Sequence, residues 1–405
     1  MYDRSQSRLP QELVDNIIDY NSSSVRDLKS LSLIGRPWLA RSRKHLFRVL
    51  RLDATYNPNI LSESLISLHA VLSFVRRLKL ESTIPNKPFQ LPHLALVAIQ
   101  QSFPSLLHLT LKGVVFADDP QLSPSSNVSL RNLALIGVSF KDAVAMLRFL
   151  CNSLFSLLTS LSIDEVTFSS IDPRPPPPPP TLPSPAPSIH QPPQLQEFVL
   201  GNVRSSVLRA LWAPPSPFDF YSTLTRVSLC NRVSLDCADV ALANTRLWSS
   251  VTHLACSAWR LNVTSFPPNI THLTMTYKTL SRQGSESRLS HLATTSPKLQ
   301  HLLLVFYWPH RTDSEKLNNI MSDFDDDLAT VATSLPVQIY IRFVLKSEHS
   351  ADFALMERLQ AMFLRTDDAM CLKGDEFSLP LNIEVKEISD TEYRADLRLG
   401  LGFEY

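Results

Sequence analysis

Glycine is scarce in this chain: 8 of 405 residues, about 2% against an ordinary share of about 7%. They stand at Gly35, Gly113, Gly137, Gly201, Gly284, Gly374, Gly400 and Gly402, so neither G-x-G-x-x-G nor G-x-x-x-x-G-K-[ST] can be written anywhere. Nucleotide sites built on such loops are excluded, because they need a close backbone approach and positive φ that other residues resist. Cysteine is also sparse. Cys151, Cys230, Cys237, Cys256 and Cys371 are odd in number and form no C-x-x-C pair, which predicts reduced, mostly buried thiols and neither a disulfide framework nor a zinc site. No apolar run approaches the roughly 20 residues of a membrane span, and no basic start leads into an apolar segment. The expectation is an intracellular protein of the cytoplasm or nucleus, without a membrane partner. G-x-S-x-G, H-E-x-x-H and H-x-E with P-C-x-x-C are all missing. The sequence therefore predicts no enzyme, no cofactor and no metal.

What the chain does have is leucine, 65 residues of 405. The pattern L-x-x-L-x-L, with apolar substitutes, recurs at Val75-Leu78-Leu80, Leu106-Leu109-Leu111, Leu130-Leu133-Leu135, Leu158-Leu161-Ile163, Leu195-Phe198-Leu200, Leu224-Val227-Leu229, Val251-Leu254-Cys256, Ile270-Leu273-Met275 and Leu299-Leu302-Leu304. These nine copies are spaced by 31, 24, 28, 37, 29, 27, 19 and 29 residues, around the spacing of leucine-rich repeats. In each copy the last two apolar positions lie two apart, so on a strand they point to one face, and Val114, Val138, Val166 and Val203 turn back toward the same core. One such unit cannot bury that face alone; stacked units can. The fold class expected is α/β: a curved parallel sheet with helices outside, running over residues 53–312 as an irregular leucine-rich-repeat solenoid. Lys141 to Leu150 and Ser62 to Phe74 fit connecting helices.

Residues 5–52 do not follow the repeat. Leu9-Pro10 opens a helix with Leu13, Ile17 and Ile18; the Asn21 to Ser24 stretch caps a second, Val25 to Ile34, with Leu28, Leu31 and Leu33 or Ile34 inside. Gly35 then ends that helix and Pro37 begins a third, with Trp38, Leu39, Leu46 and Phe47. Between the fourth and fifth repeats, twelve of the 30 prolines fall within 21 residues. This insertion, at about 169–194, must leave the sheet as an extended polyproline loop. It is read either as a ligand for SH3- or WW-type grooves or as a tolerated insertion. Residues 313–405 carry 9 basic and 19 acidic side chains. They are expected to form irregular terminal repeats or an acidic cap, with helices over Ser314 to Leu335 and Asp352 to Leu364 and strands over Val337 to Leu345 and Leu379 to Ile388. The tract Asp323, Asp325, Asp326 and Asp327 reads as a solvated helix face or as a contact for a basic partner.

The run Leu9-Pro10-Gln11-Glu12-Leu13, then Ile17-Ile18, then Asp27 to Trp38, resembles an F-box. It is especially similar to fungal F-box proteins, in which L-P-x-E-[LI] is followed by S-L-V-C-x-x-W and a basic R-x-H-L-F tail; here that tail is Arg43 to Leu52. Gly35 and Pro37 depart from the pattern. The resemblance implies a non-catalytic substrate receptor of an SCF-type cullin-RING ubiquitin ligase. Its F-box would dock on the small Skp-family adaptor, and through it on a cullin scaffold, while the repeats hold an unknown protein substrate. By the same resemblance, Leu9, Pro10, Leu13, Ile17, Leu28, Leu31, Ile34 and Trp38 match motif positions, some facing the adaptor and some the domain's own core. A repeat-protein scaffold with an F-box-like cap and no ligase role is the alternative. Arg41, Arg43, Lys44, Arg48 and Arg51 lack interleaved aromatics and read as a solvated helix face, not a nucleic-acid site.

In the expected register, the residue before the second apolar position of each repeat stands on the exposed face of the sheet. That places Arg77, His108, Arg226, His253, His272 and His301 in the row facing a substrate. His253, His272 and His301, in consecutive repeats, should form a ladder at the strand spacing of about 4.8 Å. Such a ladder is read as a pH-sensitive or metal-competent patch, or as histidine at a half-exposed strand position with neither role.

Overall fold

The computed structural model describes residues 9–54, 60–82, 84, 88–91, 99, 101–116, 130–150, 155–169, 194–212, 223–229, 249–257, 267–277, 289, 292–307, 314–346, 362–371 and 381–388. The proline insertion and most of the helix expected over 352 to 364 lie outside the described residues. The chain divides into two compact units: Met1–Leu158 with Phe168–Gln191, and Thr159–Thr167 with Pro192–Tyr405.

The first unit begins with three helices, α1 Gln11–Tyr20, α2 Val25–Ser32 and α3 Arg36–Leu46. Pro10 opens α1, its carbonyl accepting the Leu13 and Val14 N–H groups, and Ser24 Oγ caps α2 by accepting the Asp27 N–H at 3.2 Å. Gly35 differs from expectation. It is extended, with φ 168°, and is the N-cap of α3 in place of a left-handed helix end. The helices share a small core of Val14, Ile18 and Leu28, against which Leu31, Trp38 and Leu46 pack. An ionic clamp joins α1 to α3: the Asp19 carboxylate accepts from Arg41 Nε at 2.9 Å, from a second Arg41 nitrogen, and faces His45 Nε2 at 2.8 Å.

After these come β1 Val49–Asp53, α4 Ile60–Ser67, a 3-10 turn His69–Phe74, β2 Arg77–Glu81, β3 Phe89–Gln90, β4 His108–Lys112, β5 Val114–Val115, β6 Asn132–Ile136, β7 Ser139–Phe140 and α5 Ala143–Leu150. Strands β1, β2, β4 and β6 pair in parallel, aligning Leu50, Leu78, Leu109 and Leu133 in one row and Leu52, Leu80, Leu111 and Leu135 in the next. β1 spans residue 52, the expected boundary between the helical segment and the repeats. The end of the basic tail is the first rung of the sheet, because Val-Leu-Arg-Leu-Asp alternates like the rungs behind it. The short strands β3, β5 and β7 form a second parallel ladder just past the main one, and Val114 and Val138 are fully buried there. Phe116, Phe140, Phe149 and Phe155 fill the space behind, with ring centroids 5.0 to 5.6 Å apart.

The chain continues through β8 Ser160–Asp164, β9 Thr167–Phe168, β10 Glu197–Leu200, α6 Ser205–Trp212, β11 Arg226–Leu229, β12 His253–Ser257, β13 His272–Tyr277, α7 Leu292–Thr295, β14 His301–Tyr307, α8 Ser314–Ser334, β15 Gln338–Lys346, α9 Leu364–Cys371 and β16 Asn382–Ile388. In the second unit β8, β10, β11, β12, β13, β14, β15 and β16 pair in that order, all parallel. All nine strands expected from the repeat begin at the residue before the second apolar position, so the sequence pattern and the register coincide. The acidic region extends the same ladder through β15 and β16. Its aspartates are not simply solvated: buried Asp325 accepts the Arg365 and Thr366 N–H groups at 3.0 and 2.8 Å, capping the start of α9, and Asp326 pairs with Arg365. Tyr277, Phe306 and Phe343 stack across β13 to β15, with Phe324 of α8 edge-on.

A turn leaves the sheet after each of the first strands. Gly113 and Gly137 take φ of 66° and 59° there, and Glu165 holds the matching position after β8 at φ 52°. At the following corner, Asp164 Oδ1 accepts the Asn202 N–H at 2.7 Å and its side chain lies over Gly201, where an added Cβ would fall 2.7 Å from Asp164 Cβ. Opposite substitutions should therefore have opposite effects. Glu165→Gly, which relieves a left-handed L-residue, is expected to stabilise by about 0.5–1 kcal/mol, and Gly201→Ala to destabilise by about 1–3 kcal/mol. Chemical denaturation of both variants checks this.

Candidate functional site

Two surfaces carry the residues singled out by sequence. On the helical unit, burial divides them. Leu28 is in the core and Leu31 and Trp38 pack against it, whereas Leu9, Leu13, Ile17 and Ile34 are 53%, 48%, 39% and 60% exposed, and Pro10 is exposed as well. Leu13 and Ile17, four residues apart, share one face of α1, and Leu9 stands just before the helix. The expectation that Leu33 or Ile34 would turn inward is corrected: both are exposed. Val14 takes the inward place on α1, one residue beyond Leu13. The helices hold together without that face, through their three-residue core and the Asp19 clamp, in which the Arg41 guanidinium and His45 keep the Asp19 carboxyl well below the usual carboxylate range. That clamp also accounts for Arg41, and Arg51 pairs with Glu81 at 2.8 Å, so the basic run is partly neutralised within the unit.

The second surface is the row of strand starts. In the first unit it runs Val49, Arg77, His108, Asn132, with Arg77 exposed and His108 half-buried. In the second unit it runs Ser160, Glu197, Arg226, His253, His272, His301, Gln338. Ser160 Oγ donates to Glu197 at 2.8 Å. The three imidazoles stack as the register requires, with centroids 4.2 and 4.4 Å apart and planes 11° and 23° apart. The threonine that precedes two of these histidines went unread in the sequence. Thr252 Oγ1 lies 2.8 Å from His253 Nδ1, and Thr271 Oγ1 lies 2.9 Å from His272 Nδ1. Thr252 Oγ1 also donates to Thr225 O at 3.3 Å and Thr271 Oγ1 to Thr252 O at 3.2 Å. Burial, followed by the neighbouring charges, lowers His253 and takes His272 down to about 4.

Two residues further along β11 to β13 the face closes. Ser228, Ala255 and Thr274 are buried, and Val305, Tyr307 and Val344 form a buried cluster with Leu303 against it. The expected open face is thus interrupted at β11 to β13, while Ser162, Val199, Leu303 and Tyr340 of the neighbouring strands stay half-buried. Cys256 is buried, and burial pushes its thiol up to about 12, so it stays a thiol at neutral pH. Among the described residues no group of three His, Cys, Asp or Glu is arranged to hold a metal ion, and no helix is long and apolar enough to cross a membrane.

No protein-family model matches the chain, and no curated protein sequence matches it either. Among solved structures it is similar to the crystal structure of a Bacteroides fragilis protein, at 12% identity and a TM-score of 0.38, over 72% of this chain and 73% of that one.

Because burial lowers both His253 and His272, the unfolded chain binds more protons than the native one below the ordinary histidine value of 6.5, and for His272 this extends down to about 4. Stability should therefore be complete above 6.5, fall as pH is lowered toward 4, and level off below for this group. Replacing His253 and His272 by Asn is expected to flatten that slope in melting temperature across the window; an unchanged slope would assign it to other groups.

Proposed function

We propose that the chain is the non-catalytic substrate-recognition subunit of an SCF-type cullin-RING E3 ubiquitin ligase. Its N-terminal helices are an F-box of the fungal kind that binds a Skp-family adaptor, and its parallel repeat array receives a protein substrate. The observation that carries this reading is the division of apolar residues in the helical unit. A free-standing cap would turn its apolar side chains inward, but here Leu9, Leu13, Ile17 and Ile34 face outward while Val14, Ile18 and Leu28 suffice for the core. Exposed apolar side chains grouped on one small unit are the mark of a docking surface, and these are the positions the F-box resemblance assigns. Of the matching residues, Leu28, Leu31 and Trp38 act by holding the helices together. The strand-start residues Arg77, His108, Arg226, His253, His272 and His301 are the substrate-facing set in this reading.

Co-purification from cells with the Skp-family adaptor and cullin tests it. Leu13→Ala with Ile17→Ala should leave the melting temperature nearly unchanged and weaken the association by about 10- to 100-fold, since docking would newly bury only the exposed part, 48% and 39%, of side chains whose full burial is worth about 1.5–3 kcal/mol each. Ile18→Ala, in contrast, should unfold the helices at a cost of about 2–5 kcal/mol. Absence of any association in the unmutated protein would overturn the ligase role and leave a repeat scaffold with an F-box-like cap.

A further inference from the structure

The first unit carries an unmatched cluster of positive charge at the starts of its strands. The Arg48 carbonyl accepts the N–H groups of both Arg76 and Arg77 at 3.0 Å, and the Arg76 carbonyl accepts those of Leu107 and His108 at 2.9 and 3.0 Å. Three arginines and an imidazole therefore sit within about two strand spacings, roughly 10 Å. Arg48, Arg76 and Arg77 are all exposed. Other arginines of the chain meet carboxylates: Arg41 with Asp19, Arg51 with Glu81, Arg342 with Glu384 and Arg365 with Asp326. No carboxylate among the described residues pairs with Arg48, Arg76 or Arg77. Their proximity is felt by His108, which burial and then the Arg77 and Arg48 charges keep in the neutral form. Like charges gathered without counter-charges cost self-repulsion, which an anionic ligand relieves.

We propose that Arg48, Arg76 and Arg77, with His108 beside them, form a docking strip for an acidic, Asp- or Glu-rich segment of the recruited protein. The inference rests on the receptor reading and adds the chemistry of its ligand. Guanidinium groups present planar forks that match carboxylates one to one, and here two neighbouring strand starts bring three of them together, Arg48 at β1 and Arg76 and Arg77 at β2, within reach of successive side chains of an extended acidic segment. A phosphate cradle is a poorer fit, because it draws on free backbone N–H groups, and those of Arg76, Arg77, Leu107 and His108 are all engaged. Single-stranded nucleic acid needs stacking platforms; among the described residues the exposed aromatic side chain is Tyr20, on α1. The chain as a whole, at net charge +1, also lacks the broad basic field of nucleic-acid binders.

Fluorescence anisotropy on the full chain tests the strip, using a labelled peptide of about ten alternating Glu and Ser residues, its Gln and Ser counterpart, and a single-stranded DNA of similar length. The acidic peptide should bind, its affinity should fall with added salt, and Arg76→Gln with Arg77→Gln should weaken it by about tenfold or more. The Gln peptide should not bind. Equal binding of both peptides, or an unchanged affinity in the double variant, overturns the proposal. DNA bound more tightly than the acidic peptide overturns it in favour of nucleic acid. Self-association of the chain that the double variant abolishes overturns it in favour of a second copy. Should the double variant not fold, Arg48→Gln alone serves, with the same expected weakening and the same overturning result. Adaptor co-purification of each variant separates the two readings: failure of the strip leaves it intact, whereas failure of the receptor reading removes it from the unmutated chain as well.

Discussion

Parallel pairing in strict register is the constraint on which the rest depends. A repeat of this size offers two or three apolar side chains on one face of a five-residue strand, too little to exclude water by itself. Paired rung to rung, those side chains become continuous rows: Leu50, Leu78, Leu109 and Leu133 in one unit, Phe198, Val227, Leu254, Leu273 and Leu302 in the other. The same pairing dictates what happens on the opposite face, because every residue one position away is also brought into a row. The histidine stack of the second unit and the arginine strip of the first are both consequences of a register set by leucines.

That register explains why so much was legible beforehand. An apolar pattern of period two fixes which side of a strand is buried, and a slip by one residue would expose every leucine, so the strand starts could be read to the residue. The helices α5 and α8 were legible for the analogous reason at period 3.6. The missed features obey other physics. β1 went unread because Val49 to Asp53 is claimed by two patterns, the basic tail of the helical unit and the first rung of the sheet, and only pairing with β2 decides between them. Val14 was overlooked because α1 has apolar residues on two faces, Leu13 with Ile17 and Val14 with Ile18, and spacing alone does not say which pair faces inward. The burial of Ser228, Ala255 and Thr274, and the inward turn of Asp325 to cap α9, depend on partners distant in sequence, which local periodicity does not contain.

Function follows from what this packing leaves over. The helical unit closes its core with few residues and an Asp19, Arg41 and His45 clamp, so the outward face of α1 is not required for folding. Its apolar side chains stay exposed in the folded unit. The repeat array, in contrast, keeps exposed or half-buried polar and basic residues at its strand starts while burying its leucines. A chain divided in this way has an apolar surface on its helices and polar residues at its strand starts, which is the division on which the proposed receptor role rests.

Hydrogen–deuterium exchange of the full chain, with and without a Skp-family adaptor, tests this division most directly. The account predicts added protection in α1 and in the segment from α2 to Gly35, with the strands of the repeat array unchanged. Protection that appears in the strand starts and leaves α1 untouched would contradict it.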